Sequence, residues 1–227
     1  MEVPFFHLKS VTSTNDEAKK LAASLPEAIV IADTQTRGRG RGENSFYSPV
    51  NTGLYMSCLM DIPPAEALEE SITPLCAVAV CRALEDIGVF GTGIKWVNDV
   101  YYRGKKICGI LVEGCGSKIV CGIGINLTTV SFPDGLSGAG SIGVCADRPL
   151  LAIKIFSEIK RSYSAQDFKE EYKRRSCILG RDIEFMRDGR LVTAKAVDID
   201  GKCRLVTDEN GTVRVLSSGE IKIVYVK

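Results

Sequence analysis

The sequence predicts an α+β protein: a mixed, largely antiparallel sheet flanked by helices over residues 1–176, then a small β-barrel over residues 177–227. Three observations predict it. Residues 93–127, "GIKWVNDVYYRGKKICGILVEGCGSKIVCGIGINL", alternate apolar runs with glycine-containing turns, as an antiparallel meander does. Segments before and after that run carry apolar residues at helical spacing. Beyond Cys177, short strand-like runs are separated by Asp-Gly, Asp-Gly-Lys and Asn-Gly turn signals, regular enough for a small barrel.

Taken in order, Thr14 and Glu17 have the spacing of a capping box, and Ala18, Leu21, Ala22 and Leu25 continue at helical period, so a helix is expected to begin near Thr14. "AIVIADT" (28–34) and "GLYMSCLM" (53–60) read as strands. Pro74 suits a first helical position, which predicts a helix over "LCAVAVCRALEDIGV" ended by Gly88. After the meander, residues 128–148 are rich in glycine and read as irregular, and helices are expected over 150–163 and 165–176. No repeat or low-complexity linker separates the two parts, so they are expected to pack together.

Composition narrows the function classes. Twenty-nine basic against 28 acidic residues leave a formal charge of +1, so no global field draws the chain to nucleic acid or membrane, and any anion site must be local. Nine cysteines, no CxxC and a single histidine, His7, speak against a zinc site or a disulfide framework. The cysteines read as small buried hydrophobes in a reducing compartment. The N-terminus lacks a signal-peptide pattern and no 18-residue apolar run occurs, so the expected location is cytoplasmic, without a membrane partner.

Four segments carry candidate chemistry. "TRGRGRGENSF" (36–46) sets Arg37, Arg39 and Arg41 among Gly38, Gly40 and Gly42 between two strands. Fixing glycine is entropically costly, and guanidiniums match carboxylate or phosphate oxygens, so an anion is the expected reward; arginine-glycine strings also occur in RNA-binding segments. In "KWVND" (95–99) polar residues gather where a strand stops, which is how sheets present groups to ligands, although Trp96 by itself also suits a core. Lys106 leads into an apolar strand, where a lysine can equally guard a sheet edge. Gly109 interrupts that strand; Gly122 and Gly124, two apart and on one face, interrupt the next, which ends at Asn126. The pattern suggests a slot for something flat and apolar beside an arginine loop and a lysine. One histidine leaves no nucleophile–His–Asp set, and paired-carboxylate chemistry is not signalled. Stabilisation of an anion remains, as when a carboxylate attacks a phosphate to give an acyl-adenylate.

"STND" (13–16), Gln35 followed by "GRGRG" (38–42) and "FYSP" (46–49), "KWVND", "KKICGILVE" and "GIGIN" together resemble the ordered motifs of biotin–protein ligases, over nearly all of residues 7–127, and "SGEI" (218–221) resembles that family's C-terminal cap. The resemblance implies a class II synthetase-like catalytic domain with an SH3-like C-terminal β-barrel. It implies that biotin and MgATP give biotinyl-5′-AMP, from which biotin passes to a lysine of a biotin carboxyl carrier protein, typically of acetyl-CoA carboxylase. Carried over by position, Ser13, Thr14, Asn15, Gln35 and Gly38 would meet biotin, and Arg39 and Arg41, with Gly40 between them, the phosphates. Lys106 would bridge the biotin carboxylate and the α-phosphate, Asn98 would help hold the nucleotide, and Asp99 would orient the acceptor lysine. Gly109, Gly122 and Asn126 complete the small-molecule site. No protein-bound metal is implied; Mg2+ accompanies ATP. Three departures stand out: Val97 replaces a common proline, Phe46 a common tryptophan, and Glu43 stands where basic residues are frequent. Some members carry an N-terminal DNA-binding domain; twelve residues precede Ser13 here, so no DNA partner or repressor role is expected. The expected assembly is a monomer or homodimer. The competing readings are a lipoate–protein ligase, which lacks the "GRGRG" and "KWxND" pair, and an RNA-binding module, which near-neutral charge disfavours.

Overall fold

The computed structural model describes residues 3–42, 44–62, 68–217 and 219–224; Glu43 and Ser218 of the motifs above lie outside them. A seven-stranded sheet runs β1-β2-β3-β7-β6-β5-β4. Its strands are β1 (Phe5–Val11), β2 (Ala28–Gln35), β3 (Gly53–Met60), β4 (Gly93–Lys95), β5 (Asp99–Tyr102), β6 (Lys105–Cys115) and β7 (Lys118–Asn126). Only β1 and β2 pair in parallel; every other neighbouring pair is antiparallel, so the sheet is mixed and largely antiparallel as expected. The sequence reading missed β1, because "FFHLKSV" has half-exposed positions with no apolar run to mark it.

Helix α1 (Thr14–Leu21) starts where expected, but not by a capping box. Ser13 is the cap residue, extended at φ −156°, and no side chain caps the helix; the Ser13 carbonyl accepts from the Asp16 and Glu17 amides at 3.1 and 3.2 Å. The Thr14 side chain is drawn elsewhere, into the site described below. Helix α2 (Leu68–Glu85) contains Pro74 inside it, so the expected start at Pro74 falls about two turns late. Burial explains the difference: Ile72, ahead of the proline, is already in the core, so packing continues the helix upstream. Gly88, at φ +84°, ends the segment as glycine does in a left-handed position.

Helix α3 (Arg148–Ala165) is capped by Asp147, whose carboxylate accepts from the Leu150 amide at 2.9 Å. Gln166, left-handed at φ 53°, closes it, which leaves α4 (Lys169–Arg174) shorter than the helix expected over 165–176. The second sheet, β11-β10-β9-β8-β12, is antiparallel throughout. It comprises β8 (Asp182–Arg187), β9 (Arg190–Ile199), β10 (Leu205–Glu209), β11 (Thr212–Leu216) and β12 (Ile221–Ile223). Asp188 and Gly189, then Asn210 and Gly211, all have positive φ, as two-residue hairpin turns require.

One apolar core runs through both sheets: Ile94, Trp96 and Val100 pack in the same cluster as Ile183, Ala196 and Leu205. The Trp96 indole donates to the Cys203 carbonyl at 3.0 Å, and the Tyr172 hydroxyl to the Val97 carbonyl at 3.1 Å. The segment that carries Asn98 and Asp99 is thereby fixed from behind. Six cysteines, 58, 76, 81, 108, 121 and 203, are buried, and all nine are free thiols.

Candidate functional site

The meander brings glycines together. Gly109 of β6 pairs directly with Gly124 of β7, and Leu111 with Gly122, so three of these four facing positions on two adjacent strands carry no side chain. A polar end closes this slot. The Thr14 amide donates to Gln35 Oε1 at 2.8 Å, and the Thr14 hydroxyl to the same oxygen at 3.2 Å. Ser57 Oγ lies 2.8 Å from Thr14 Oγ1 and 2.5 Å from Asn15 Oδ1. The Asn15 amide donates to Glu113 Oε2 at 2.6 Å, and Gln35 Nε2 donates to Ser48 Oγ at 2.9 Å. Ser13, Thr14, Asn15, Ser48 and Ser57 are buried, so the mutual hydrogen bonds hold the network in place. A Cβ at Gly122 would collide with the Asn15 side chain; here glycine is required by close approach.

Glu113 anchors the network. Burial by itself would raise its carboxyl, but hydrogen bonds from Lys19 and Asn15 and the charge of Arg39 outweigh burial and hold it below the ordinary value. Lys19 Nζ stands 2.7 Å from Oε1 and Arg39 Nη2 3.0 Å from Oε2, while Arg39 Nη1 reaches Asp16 Oδ1 at 2.8 Å.

The arginine-glycine stretch is a small hairpin. Phe46 N donates to Gly38 O at 2.9 Å, Gly40 N to Asn44 O at 2.7 Å and Asn44 N to Arg41 O at 3.2 Å, with Arg39 bridged to Ser45. Its base is tied down by Ser48 Oγ donating to Phe46 O at 3.0 Å. Gly38 sits so close to the Phe46 carbonyl and Ser48 Oγ that a Cβ has no room. The Phe46 ring lies over the glycine slot, where a Cβ at Gly124 would stand 2.5 Å from it and one at Gly109 3.4 Å. The cavity left among the slot residues is about 20 Å³. Ligand pockets span about 300–1,000 Å³, so a ligand must displace the ring.

Next to the slot lies an open cleft of about 640 Å³, lined by Arg39, Arg41, Lys95, Asn98, Asp99 and Lys106 and by Gly219–Ile221 from the second sheet's side. Lys106 Nζ is 2.7 Å from Asp99 Oδ1, and Arg41 Nη1 donates to Gly219 O at 3.2 Å. Burial lowers the Lys95 ammonium pKa, and the Asp99 charge only partly opposes it. The Asn98 amide donates to the Ile110 carbonyl at 3.0 Å. Asn126 is buried: its amide donates to Gly140 O at 3.0 Å, while its side-chain oxygen has no partner among the described residues. The arrangement suits an apolar acid whose carboxylate end emerges beside Lys106 and meets a polyanion in the cleft.

The structure thus gathers Ser13, Thr14, Asn15, Gln35, Gly109 and Gly122 at the slot, and Arg39, Gly40, Arg41, Asn98, Asp99 and Lys106 at the cleft. Gly38 lines neither and packs instead beside Gln35 and Ser48, and Asn126, at the end of β7, also lies outside both linings. Sequence reasoning had Asp16, Lys95, Glu113 and Gly219–Ile221 inside its motifs but gave none of them a role at the small-molecule site, and it gave none to Ser57. Glu113 was within reach, since alternation along β6 puts it on the same face as Gly109 and Leu111. Ser57 sits inside an otherwise fully buried apolar strand and gives no local signal.

The profile of the Biotin/lipoate A/B protein ligase family matches residues 7–129. The chain is 30% identical over 236 residues to a biotin–[acetyl-CoA-carboxylase] ligase of Mycobacterium tuberculosis, covering 92% of this chain and 85% of that protein. It is 23% identical over 209 residues to the bifunctional ligase/repressor BirA of Salmonella typhimurium, of whose length the match spans 65%. Among solved structures, the biotin protein ligase of Aquifex aeolicus in complex with biotin and ATP superposes with a TM-score of 0.85 at 27% identity, over 98% of this chain and 99% of that one. The glycine slot, the arginine hairpin and a family match over more than half the residues lead to one assignment: this chain belongs to the biotin/lipoate A/B protein ligase family.

Proposed function

We propose that the protein is an ATP-dependent biotin–protein ligase that makes biotinyl-5′-AMP and transfers biotin to a lysine of a biotin carboxyl carrier protein, as in acetyl-CoA carboxylase. The observation that carries this reading is the adjacency of a polar-ended glycine slot and a cationic cleft, which share Arg39, Phe46 and Gly109. Biotin's fused rings fill the slot with the ureido group against Thr14, Asn15, Gln35 and Ser57, whose donors and acceptors are already oriented there. The valeryl chain runs over Gly109, Gly122 and Gly124, and Phe46 swings onto the bound ligand. Asn98 and the backbone at Gly40 complete the contacts.

In the first step a carboxylate oxygen attacks the α-phosphorus of ATP, the P–O bond to the β-phosphate breaks and pyrophosphate leaves. Lys106, Arg39 and Arg41 offset charge on the oxygens between acid and phosphate. In the second, the acceptor ammonium gives one proton to water, the neutral amine attacks the acyl carbon, the acyl C–O bond breaks, AMP leaves and the new amide nitrogen passes its extra proton to solvent. Asp99, released when Lys106 turns to the anhydride, orients the incoming ammonium. Closure of the hairpin excludes water, which would otherwise hydrolyse the mixed anhydride. Magnesium enters on the phosphates as part of the nucleotide substrate, since Mg2+ takes much of its shell from phosphates and water.

Among the described residues no helix is long and apolar enough to cross a membrane. Nine free cysteines fit a reducing cytoplasm. The test is purified protein with biotin, MgATP and a carrier domain, read by mass spectrometry, with lipoic acid in parallel. A biotinyl mass increase supports the proposal; modification by lipoic acid alone, or by neither acid, overturns it.

A further inference from the structure

We infer that Glu113 is a positioning residue for ring recognition: its carboxylate fixes which way the Asn15 carboxamide faces, so that the slot's polar end takes an N–H donor from the ring of its ligand. The inference rests on the proposed function. The Asn15 side chain lies across three strands of the large sheet. Ser57 of β3 pairs with Gly122 of β7, and Gly122 with Leu111 of β6, two residues before Glu113 and on its face of the sheet. Asn15 Oδ1 is the atom that crowds the bare Gly122 position, and the Ser57 hydroxyl donates to that oxygen at 2.5 Å. At the other end, Asn15 Nδ2 donates to Glu113 Oε2 at 2.6 Å and to the Leu111 carbonyl at 3.5 Å.

The groups at the Nδ2 end dictate this direction. Burial by itself would raise the Glu113 carboxyl, yet the hydrogen bonds from Lys19 and Asn15 and the charge of Arg39 hold it below its ordinary value, so at neutral pH it is an anion and offers only acceptors. The Leu111 carbonyl is an acceptor too. Turned over, the carboxamide would set its oxygen against both, with the desolvation of a buried, unpaired group to bear. In the orientation found, the Nδ2 hydrogens meet acceptors and the carbonyl faces Ser57. That carbonyl has a second lone pair, and Asn15 lines the slot beside Gly122. A ring N–H satisfies it. The ureido ring of biotin carries such a group, and the disulfide ring of lipoic acid carries none. A reversed carboxamide would instead point its own N–H at that of the ureido ring, donor against donor.

The experiment measures biotin affinity by isothermal titration without nucleotide, on the full chain and on E113D, E113Q, N15D and the double variant E113Q/N15D, each checked for native circular dichroism. Leaving out ATP keeps the proposed phosphate role of Arg39 out of the readout. E113Q supplies a side chain that can donate as well as accept, so the Asn15 carboxamide loses its fixed direction; N15D sets two carboxylates against each other. Each is expected to weaken biotin about 10- to 100-fold, and E113D, which keeps a carboxylate on β6, to lose less than E113Q. The double variant exchanges the roles: the new amide at position 113 donates to the new carboxylate at position 15, whose other oxygen still accepts from Ser57. Affinity should return to within about tenfold of the parent. If Glu113 served only to tie down Lys19 and Arg39, the two losses would add. E113Q within about twofold of the parent, or a double variant weaker than both single variants, overturns the inference. A parent chain that binds no biotin overturns the proposed function, and the inference with it. Should the chains carrying N15D fail to fold, E113D against E113Q decides, and equal losses in the two overturn the inference.

Discussion

Replacing Gly124 by alanine separates the slot's role from the stability of the sheet. The new Cβ would stand 2.5 Å from Phe46 Cε1, 2.7 Å from Cζ and 2.8 Å from Cδ1. Those atoms are the far end of a side chain on the hairpin, so the ring moves and the backbone of β6 and β7 stays. Losing the packing of a half-buried phenylalanine costs about 1 kcal/mol, half of what full burial contributes. Removing a strand glycine returns about 0.5–1 kcal/mol. The two nearly cancel, and the melting temperature should move by no more than about 2–4 °C. Biotin has no such escape, because its chain must lie where the methyl projects. Overpacking of about 1–3 kcal/mol corresponds to about 5- to 150-fold weaker binding. Isothermal titration with biotin, beside a thermal melt, reads both quantities. A variant that melts near the parent and binds biotin within about twofold of it would refute the glycine slot as the acid's groove.

The other predictions are as follows. Lys106→Ala should lower adenylate formation about 10²–10³-fold, measured by pyrophosphate exchange, with native circular dichroism retained. The Glu113 carboxyl is held below its ordinary value of 4.5, so its stabilisation is present above that pH and is lost as pH falls through the lower folded value. In acid melts Glu113→Gln should therefore start less stable at neutral pH and show a shallower decline below about 4.5 than the parent. Trp96→Phe strands the buried Cys203 carbonyl and should cost about 1–3 kcal/mol in urea unfolding, with one transition retained.

Much of this was legible in the chain because its signals are local. Glycines two apart in "GIGIN", Asp-Gly and Asn-Gly turns, and the unbroken apolar run of β3 each declare their conformation within a few residues. What escaped depends on partners far along the chain. Thr14 has capping-box spacing, yet its hydroxyl is taken by Gln35 and Ser57, 21 and 43 residues away. Pro74 suits a helix start, yet Ile72 is drawn into a core built by other elements. Arg39 read as a phosphate ligand, and nothing local to it announced Asp16 and Glu113, the latter 74 residues on. Lys95 likewise becomes notable only once the fold surrounds it with Asp99, Lys106 and Glu220.

The bond from Trp96 to Cys203 and the apolar cluster spanning both sheets bear on any attempt to divide the molecule. A break at residue 177 would strip greasy surface bare on each half and leave the strand end bearing Asn98 and Asp99 without its backing. Neither fragment would be a working miniature. Reassembly of the two halves, in contrast, would be driven by that same surface, which makes the chain a natural candidate for a split reporter whose signal is the return of acyl transfer.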